Sequence, residues 1–196
     1  MASLARTDDE PQYDCELPAI FQAFLQPARF KVAYGGRGSG KTRAIITILV
    51  NNVLWSGWKV MCLRELMDSI ADSSHAEIVE EIERRNLGRF FVITKTDITC
   101  PSSGGAFKFT GIKASSKRLQ GQKLKAIAGM DAAFIDEGES ITKESWNALV
   151  PTMRKSGSEI FVSFNPASPL DFIYQSFVTE PIYPAERNGR PYCVTL

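Results

Sequence analysis

Short apolar runs separated by turn-forming clusters set the plan of this chain. Residues 30–34 (FKVAY) alternate and are rich in strand formers, and residues 44–55 (AIITILVNNVLW) follow as a long run without Gly or Pro. Apolar around most of its circumference, the second run predicts a helix covered on more than one side, with Gly57 as its C-cap. Residues 58–63 (WKVMCL) then predict a buried strand, and residues 69–86 a helix with Ile78 and Ile82 on one face. Two alternating stretches, 90–99 and 106–112, flank PSSGG and predict a β-hairpin, either an insertion or an edge element. The run 132–135 (AAFI) is a strand. A helix is predicted from about Thr142, with Trp146 and Leu149 inward and Pro151 ending or bending it. A last apolar strand covers 158–164 (SEIFVSF), and 170–178 reads as a helix.

Strands alternating with helices predict one α/β domain with a mostly parallel central sheet flanked by helices. Its expected bounds are 17–180. Residues 1–16 read as a loose arm, 17–25 (LPAIFQAFL) as a short amphipathic helix, 181–190 as an exposed connector, and PYCVTL as a strand-like stub.

At 196 residues the chain can bury one sizeable core and little more. Net charge is +1, so nucleic-acid contact would have to come from a local patch. The one charge block is 113–125 (KASSKRLQGQKLK), which has five basic residues and no acidic one; a solvated loop and a patch for DNA or a neighbouring subunit are both open readings. Cys15, Cys62, Cys100 and Cys193 lie far apart and His75 is the single histidine, which argues against zinc. Cys62 reads as a core residue, and nothing in the spacing suggests disulfides, as in a reducing compartment. The N-terminus lacks the apolar centre of a signal peptide, and no apolar segment reaches a membrane span.

Chemistry enters at Tyr34–Thr42, YGGRGSGKT, between the first strand and the long helix. Gly35, four residues, then Gly40, Lys41 and Thr42 match a phosphate-cradling P-loop, made of Gly35, Gly36, Arg37, Gly38, Ser39, Gly40, Lys41 and Thr42. Glycines let several backbone N–H groups converge on an anion, and the helix that follows presents its positive end to the same place. Asp136 and Glu137 terminate the AAFI strand. In a parallel sheet that strand end opens beside the P-loop, so Asp136 would help hold Mg²⁺ with Thr42, and Glu137 would polarise an attacking water. Glu139 is a weaker choice of base, because Gly138 turns the chain. Ser163 and Asn165, at the end of SEIFVSFNP, are candidates to contact the γ-phosphate or the lytic water. Phe21 and Gln22 are candidates for an adenine wall, set against a plain packing helix.

With these pieces in hand, the chain resembles the ATPase domain of the large terminase subunit of tailed bacteriophages. The residues carrying the resemblance are GGRGSGKT at 35–42, LRE at 63–65, FIDEGES at 134–140, LVPTMR at 149–154 and SFNP at 163–166. The resemblance implies a RecA-like P-loop fold of the additional-strand, catalytic-Glu class, with ATP as substrate and Mg²⁺ as cofactor. It implies hydrolysis that drives double-stranded viral DNA into a procapsid, by copies of the chain arranged in a ring on a portal, in company with a small terminase subunit, in the host cytoplasm. It gives Arg37 a γ-phosphate contact that stabilises the transition state, and Ser163 and Asn165 a coupling role. A second arginine would come from a neighbouring subunit, with Arg118 and Arg154 as candidates; Arg154 equally suits a helix-end cap.

One departure is plain. Large terminases continue into a nuclease domain and this sequence stops before one, so DNA cleavage is not carried over; a truncated ATPase fragment or a short relative is expected, the end inside PYCVTL favouring truncation. Other readings of the same residues are a helicase-like ATPase, a small-molecule kinase, and a nucleotide-gated assembly module inactive without its neighbours.

Overall fold

A computed structural model describes residues 17–65, 74–112 and 126–196. A 3-10 turn, Ala19–Leu25, buries Phe21 and Phe24 and leads into β1 (Phe30–Tyr34). There follow α1 (Lys41–Ser56), β2 (Lys59–Arg64), α2 (Ser74–Arg84), β3 (Val92–Ile93), β4 (Asp97–Cys100) and β5 (Gly105–Gly111). The second half holds β6 (Ala132–Ile135), α3 (Lys143–Leu149), β7 (Glu159–Phe164) and α4 (Phe172–Tyr174), which continues as a π-helical turn, Gln175–Thr179. Short strands β8 (Glu186–Arg187) and β9 (Arg190–Pro191) form a separate ribbon before β10 (Cys193–Thr195).

Eight strands make one sheet in the order β10-β1-β7-β6-β2-β5-β4-β3. All neighbours from β10 to β5 run parallel, and only the β5-β4-β3 end is antiparallel. Side chains alternate between two cores, as a sheet covered on both faces requires. Ala33, Cys62, Phe134 and Phe161 point toward α1 and α2. Phe30, Val32, Leu63, Ile135, Ile160 and Val162 join Trp146, Leu149 and Phe177 on the other face.

The apolar circumference of α1 is accounted for, since eleven of its residues from Lys41 to Leu54 are buried. Gly57 caps it with φ 65°, where a Cβ would meet the Ser103 carbonyl oxygen at 2.5 Å. On α2, Ile78 and Ile82 share the buried face, as their spacing predicts. The Thr142 hydroxyl caps α3 by accepting from the Ser145 amide.

Of the two readings of the hairpin, the edge element is the one observed: β5 pairs with β2 along six residues, so β3–β5 extend the main sheet as its antiparallel edge. One expectation needs correction. Residues 181–196 do not trail from the domain. Strand β10 pairs in parallel with β1 from Phe30↔Cys193 to Val32↔Thr195, and Tyr183 and Tyr192 pack on Phe30. A parallel pairing across that sequence distance leaves no local signature. Asn188 and Gly189, both at positive φ, turn the β8–β9 ribbon, a hairpin signal present in the sequence.

Candidate functional site

The mouth at the carboxyl ends of β1, β6, β7 and β2 gathers the predicted residues. Gly35, Gly38 and Gly40 take φ of 144°, 75° and 79°, conformations that side-chain-bearing residues rarely adopt, and the loop they form delivers Lys41 as the first residue of α1. A cleft of about 430 Å³ opens there, lined by residues 37–43 together with Ile46, Glu77, Glu80, Glu81 and Asn165.

Lys41 is buried, and its ammonium donates to Gly35 O (3.1 Å), Gly36 O (2.9 Å), Ser39 Oγ (3.0 Å) and Asn165 Oδ1 (3.0 Å). Burial pulls its pKa below the usual lysine value, against the opposing charges of Glu139 and Asp136. All four acceptors are neutral. A phosphate oxygen is a stronger partner for the same cation.

Asp136 is the hub of the mouth. Its Oδ1 accepts from Ser163 Oγ (2.8 Å) and lies 3.4 Å from Thr42 Oγ1, while Oδ2 accepts from Arg64 Nη2 (2.9 Å) and lies 3.5 Å from Ser74 Oγ. Thr42 Oγ1 and Ser163 Oγ are themselves 3.5 Å apart. Two hydroxyls and a carboxylate oxygen form a hard-oxygen donor set that fits Mg²⁺, a cation that keeps several waters and takes few protein ligands.

Glu137 stands next to the hub with its backbone in the left-handed region (φ 54°, ψ 48°), a conformation that costs a non-glycine residue about 1–3 kcal/mol. Its side chain is half exposed, and Oε1 sits 3.1 Å from Arg64 Nη2. One guanidinium nitrogen therefore serves both Asp136 and Glu137. Arg37 is exposed on the cleft wall.

Not every candidate comes to this mouth. Phe21 packs against Phe24, with ring centroids 6.1 Å apart, and does not line the cleft, which favours the packing reading; Gln22 is exposed. Arg154 is exposed in the loop before β7, at the opposite end of the sheet from the P-loop. Arg118 and the basic block 113–125 lie outside the described residues. His75 bonds the Thr94 carbonyl oxygen (2.8 Å) and packs on Phe109, away from the hub. Cys62, Cys100 and Cys193 are free thiols, and burial pushes the Cys62 thiol far up. Among the described residues no group of three or more His, Cys, Asp or Glu is arranged to hold a metal ion, and no helix is long and apolar enough to cross a membrane.

Sequence reasoning assigned Arg64 and Glu65 no role beyond the LRE string. Arg64 ends β2, so the rule that parallel strands open their carboxyl ends onto one site would have found it. Glu65 is buried, and its Oε1 accepts from Thr142 Oγ1 (3.0 Å) and Ser145 Oγ (2.9 Å), tying the β2 end to the start of α3.

A glycine loop from β1 into α1, an acidic strand end two strands away and a parallel sheet between helices define a RecA-like P-loop fold. The family model for the phage terminase large subunit matches residues 27–194, and the chain belongs to that family. No curated protein matches it. Among solved structures, the large terminase ATPase domain of a Thermus phage, P74-26, in the form of an arginine-to-alanine mutant, is 20% identical with a TM-score of 0.59, over 82% of this chain and 69% of that one. The N-terminal domain of the DNA packaging ATPase from bacteriophage phi29 gives 15% and 0.56, over 79% and 81%. A large terminase from a thermophilic bacteriophage, in complex with ADP, gives 16% and 0.55, over 91% of this chain but only 42% of that one.

Proposed function

We propose that the chain is the ATP-hydrolysing motor domain of a large terminase, a Mg²⁺-dependent ATPase that drives double-stranded viral DNA into a procapsid. The observation carrying this reading is the convergence of Lys41, Thr42, Asp136, Ser163 and Asn165, from two strand ends and one helix start, on a single mouth. Lys41 exchanges its neutral acceptors for the β- and γ-phosphates, and the P-loop amides and the α1 N-terminus hold the remaining anionic charge. Thr42, Ser163 and Asp136 would hold Mg²⁺, which supplies charge neutralisation at the phosphate oxygens when bound. Glu137 orients the attacking water once its carboxylate shares or leaves Arg64. Arg37, on the cleft wall, stabilises charge on the transferred phosphoryl. Complexes of the thermophilic-phage large terminase with ADP and with ATP-gamma-S support a nucleotide as the guest.

Family membership supports DNA, sister copies in a ring on a portal and a small terminase subunit as partners, in the host cytoplasm. Arg118 and Arg154 remain the two candidates for an arginine given to a neighbouring site. The test is steady-state ATP hydrolysis beside nucleotide binding. Glu137→Ala is expected to keep ATP affinity within a few-fold and lower turnover by about a hundredfold or more, and Lys41→Ala to weaken binding itself by about a hundredfold. Full turnover by Glu137→Ala would remove it as the base. A rate per subunit that rises with protein concentration marks a ring motor, and tight ATP binding with a flat, near-zero rate marks a passive assembly module.

A further inference from the structure

Glu139 is absent from the roles above, yet it joins two of the strand ends that carry them. Strand β7 ends its ladder with β1 at Tyr34↔Phe164, and Pro166 has no N–H, so Asn165 carries the last backbone donor before the chain leaves the sheet. That N–H donates to Glu139 Oε2 at 3.3 Å. The Asn165 side chain, in turn, accepts from Lys41 at 3.0 Å.

The turn that presents Glu139 is itself fixed. Ser140 donates twice to Glu137 O, from its amide (3.1 Å) and its hydroxyl (2.9 Å), and the Ile141 amide donates to Gly138 O (3.1 Å). Gly138 lies so close to β7 that a Cβ there would stand 2.6 Å from Val162 Cγ1 and 3.4 Å from Ser163 O. The turn after β6 and the end of β7 are thus pressed together at Gly138 and tied beside it at Glu139. Burial pushes the Glu139 carboxyl above its usual value, with Glu137 and Asp136 adding to the rise, and the amides of Glu139 and Asn165 offset part of it.

From this we infer that Glu139 is a positioning residue, which holds the backbone of Asn165 so that the Asn165 carboxamide stays at Lys41 and at the phosphate the lysine receives. It acts through Asn165 and touches no reacting atom. The inference rests on the ATPase reading for its kinetic consequence but not for its geometry.

Two variants separate a tether from a charge effect. Glu139→Gln keeps an oxygen that accepts from the Asn165 amide, and Glu139→Ala removes it. Expected is a loss in kcat of about tenfold for Glu139→Ala, the size of one charge-assisted hydrogen bond, with KM for ATP changed less. Glu139→Gln should recover most of it, and adding Glu139→Ala to Asn165→Ala should cost nothing further. A second readout needs no turnover: the ¹H–¹⁵N resonance of Asn165 should shift, and its amide exchange accelerate, in Glu139→Ala but not in Glu139→Gln. An inactive wild-type chain would count against the ATPase reading alone, and the amide readout would still decide the tether. An unchanged Asn165 amide in Glu139→Ala, equal damage by both variants, or additive losses with Asn165→Ala would each overturn it.

Discussion

Opposite ends of the same parallel strands carry charge in opposite ways. Toward the amino ends, Lys31 of β1 and Glu159 of β7 form an ion pair of 2.6 Å with side chains only 3% and 6% exposed. Glu159 also accepts from the Ala28 amide (3.2 Å), and the Lys31 ammonium lies 4.9 Å from the centre of the Phe161 ring. Nearby Arg29 donates to four oxygens, of Ser158, Val150 and Met153. Lys31 and Glu159 are both enclosed, and the Arg29 bonds are part-buried. At the carboxyl ends Lys41 rests on neutral oxygens, Asp136 and Glu137 share one guanidinium nitrogen, and Glu137 is half in solvent. Buried charges whose partners are all internal can only hold the fold, whereas charges with replaceable partners can exchange them for a ligand.

The largest expected effect breaks the closed end. Lys31→Met strands the Glu159 carboxylate in the core and should cost about 3–5 kcal/mol of stability, measured by urea denaturation. Adding Glu159→Leu should recover much of that loss, because two apolar side chains bury well where one unpaired charge does not. The pH dependence has a definite sign. Burial already holds the Glu159 carboxyl above its usual value although Lys31 opposes it, so without Lys31 the folded state binds that proton more tightly than the unfolded chain. Stability of Lys31→Met should therefore be highest below the ordinary carboxylate range and fall as pH rises through and above it. A variant equally stable at acidic and neutral pH would show that water reaches Glu159.

How far the sequence reveals each end follows from how local its signals are. The P-loop, the AAFI strand ending in Asp136 and Glu137, and the β7 end at Ser163 and Asn165 are contiguous strings, and the structure brings them together. Helices α1 and α2 carry their own periodicity; α1 forms as read and α2 over Ser74–Arg84, while residues 69–73 of its expected span lie outside the described residues. What stayed hidden is pairwise and distant. The Lys31–Glu159 pair joins a strand read as alternating and one read as apolar, neither read as carrying an ion pair. Arg64 meets Asp136 across 72 positions of sequence, and the three-residue β10 finds β1 from the far end of the chain. No spacing marks these pairings: the strand-end rule places Arg64 at the mouth, but its partner, like the others, is fixed only once the sheet order is set.

Arg37 sharpens the open end. It is exposed on the cleft wall and holds no fold element in place, so Arg37→Ala should leave the melting temperature within about a degree while turnover falls by about a hundredfold, the usual cost of one donor to developing charge. Nucleotide affinity should change far less, read by titration with a non-hydrolysable analogue. Equal loss of affinity and turnover would make Arg37 a ground-state binding residue.

The smallest expected effect tests whether residues 181–196 belong to the closed end. Trp146, 1% exposed, donates from its indole Nε1 to the Tyr183 hydroxyl at 2.9 Å, and the Tyr183 ring stacks on Phe30 at 4.1 Å between centroids. Tyr183→Phe keeps the ring and removes the acceptor, leaving a buried indole N–H without its partner, a loss of about 1 kcal/mol or somewhat more in urea denaturation. Turnover per folded molecule should not change, because Tyr183 packs on Phe30, Trp146 and Phe177 and does not line the P-loop cleft. Were the segment a tether hanging outside the domain, the same substitution would move neither quantity. If turnover dropped while stability held, the aromatic cluster would report to the P-loop through β1, and the separation of the two ends would fail.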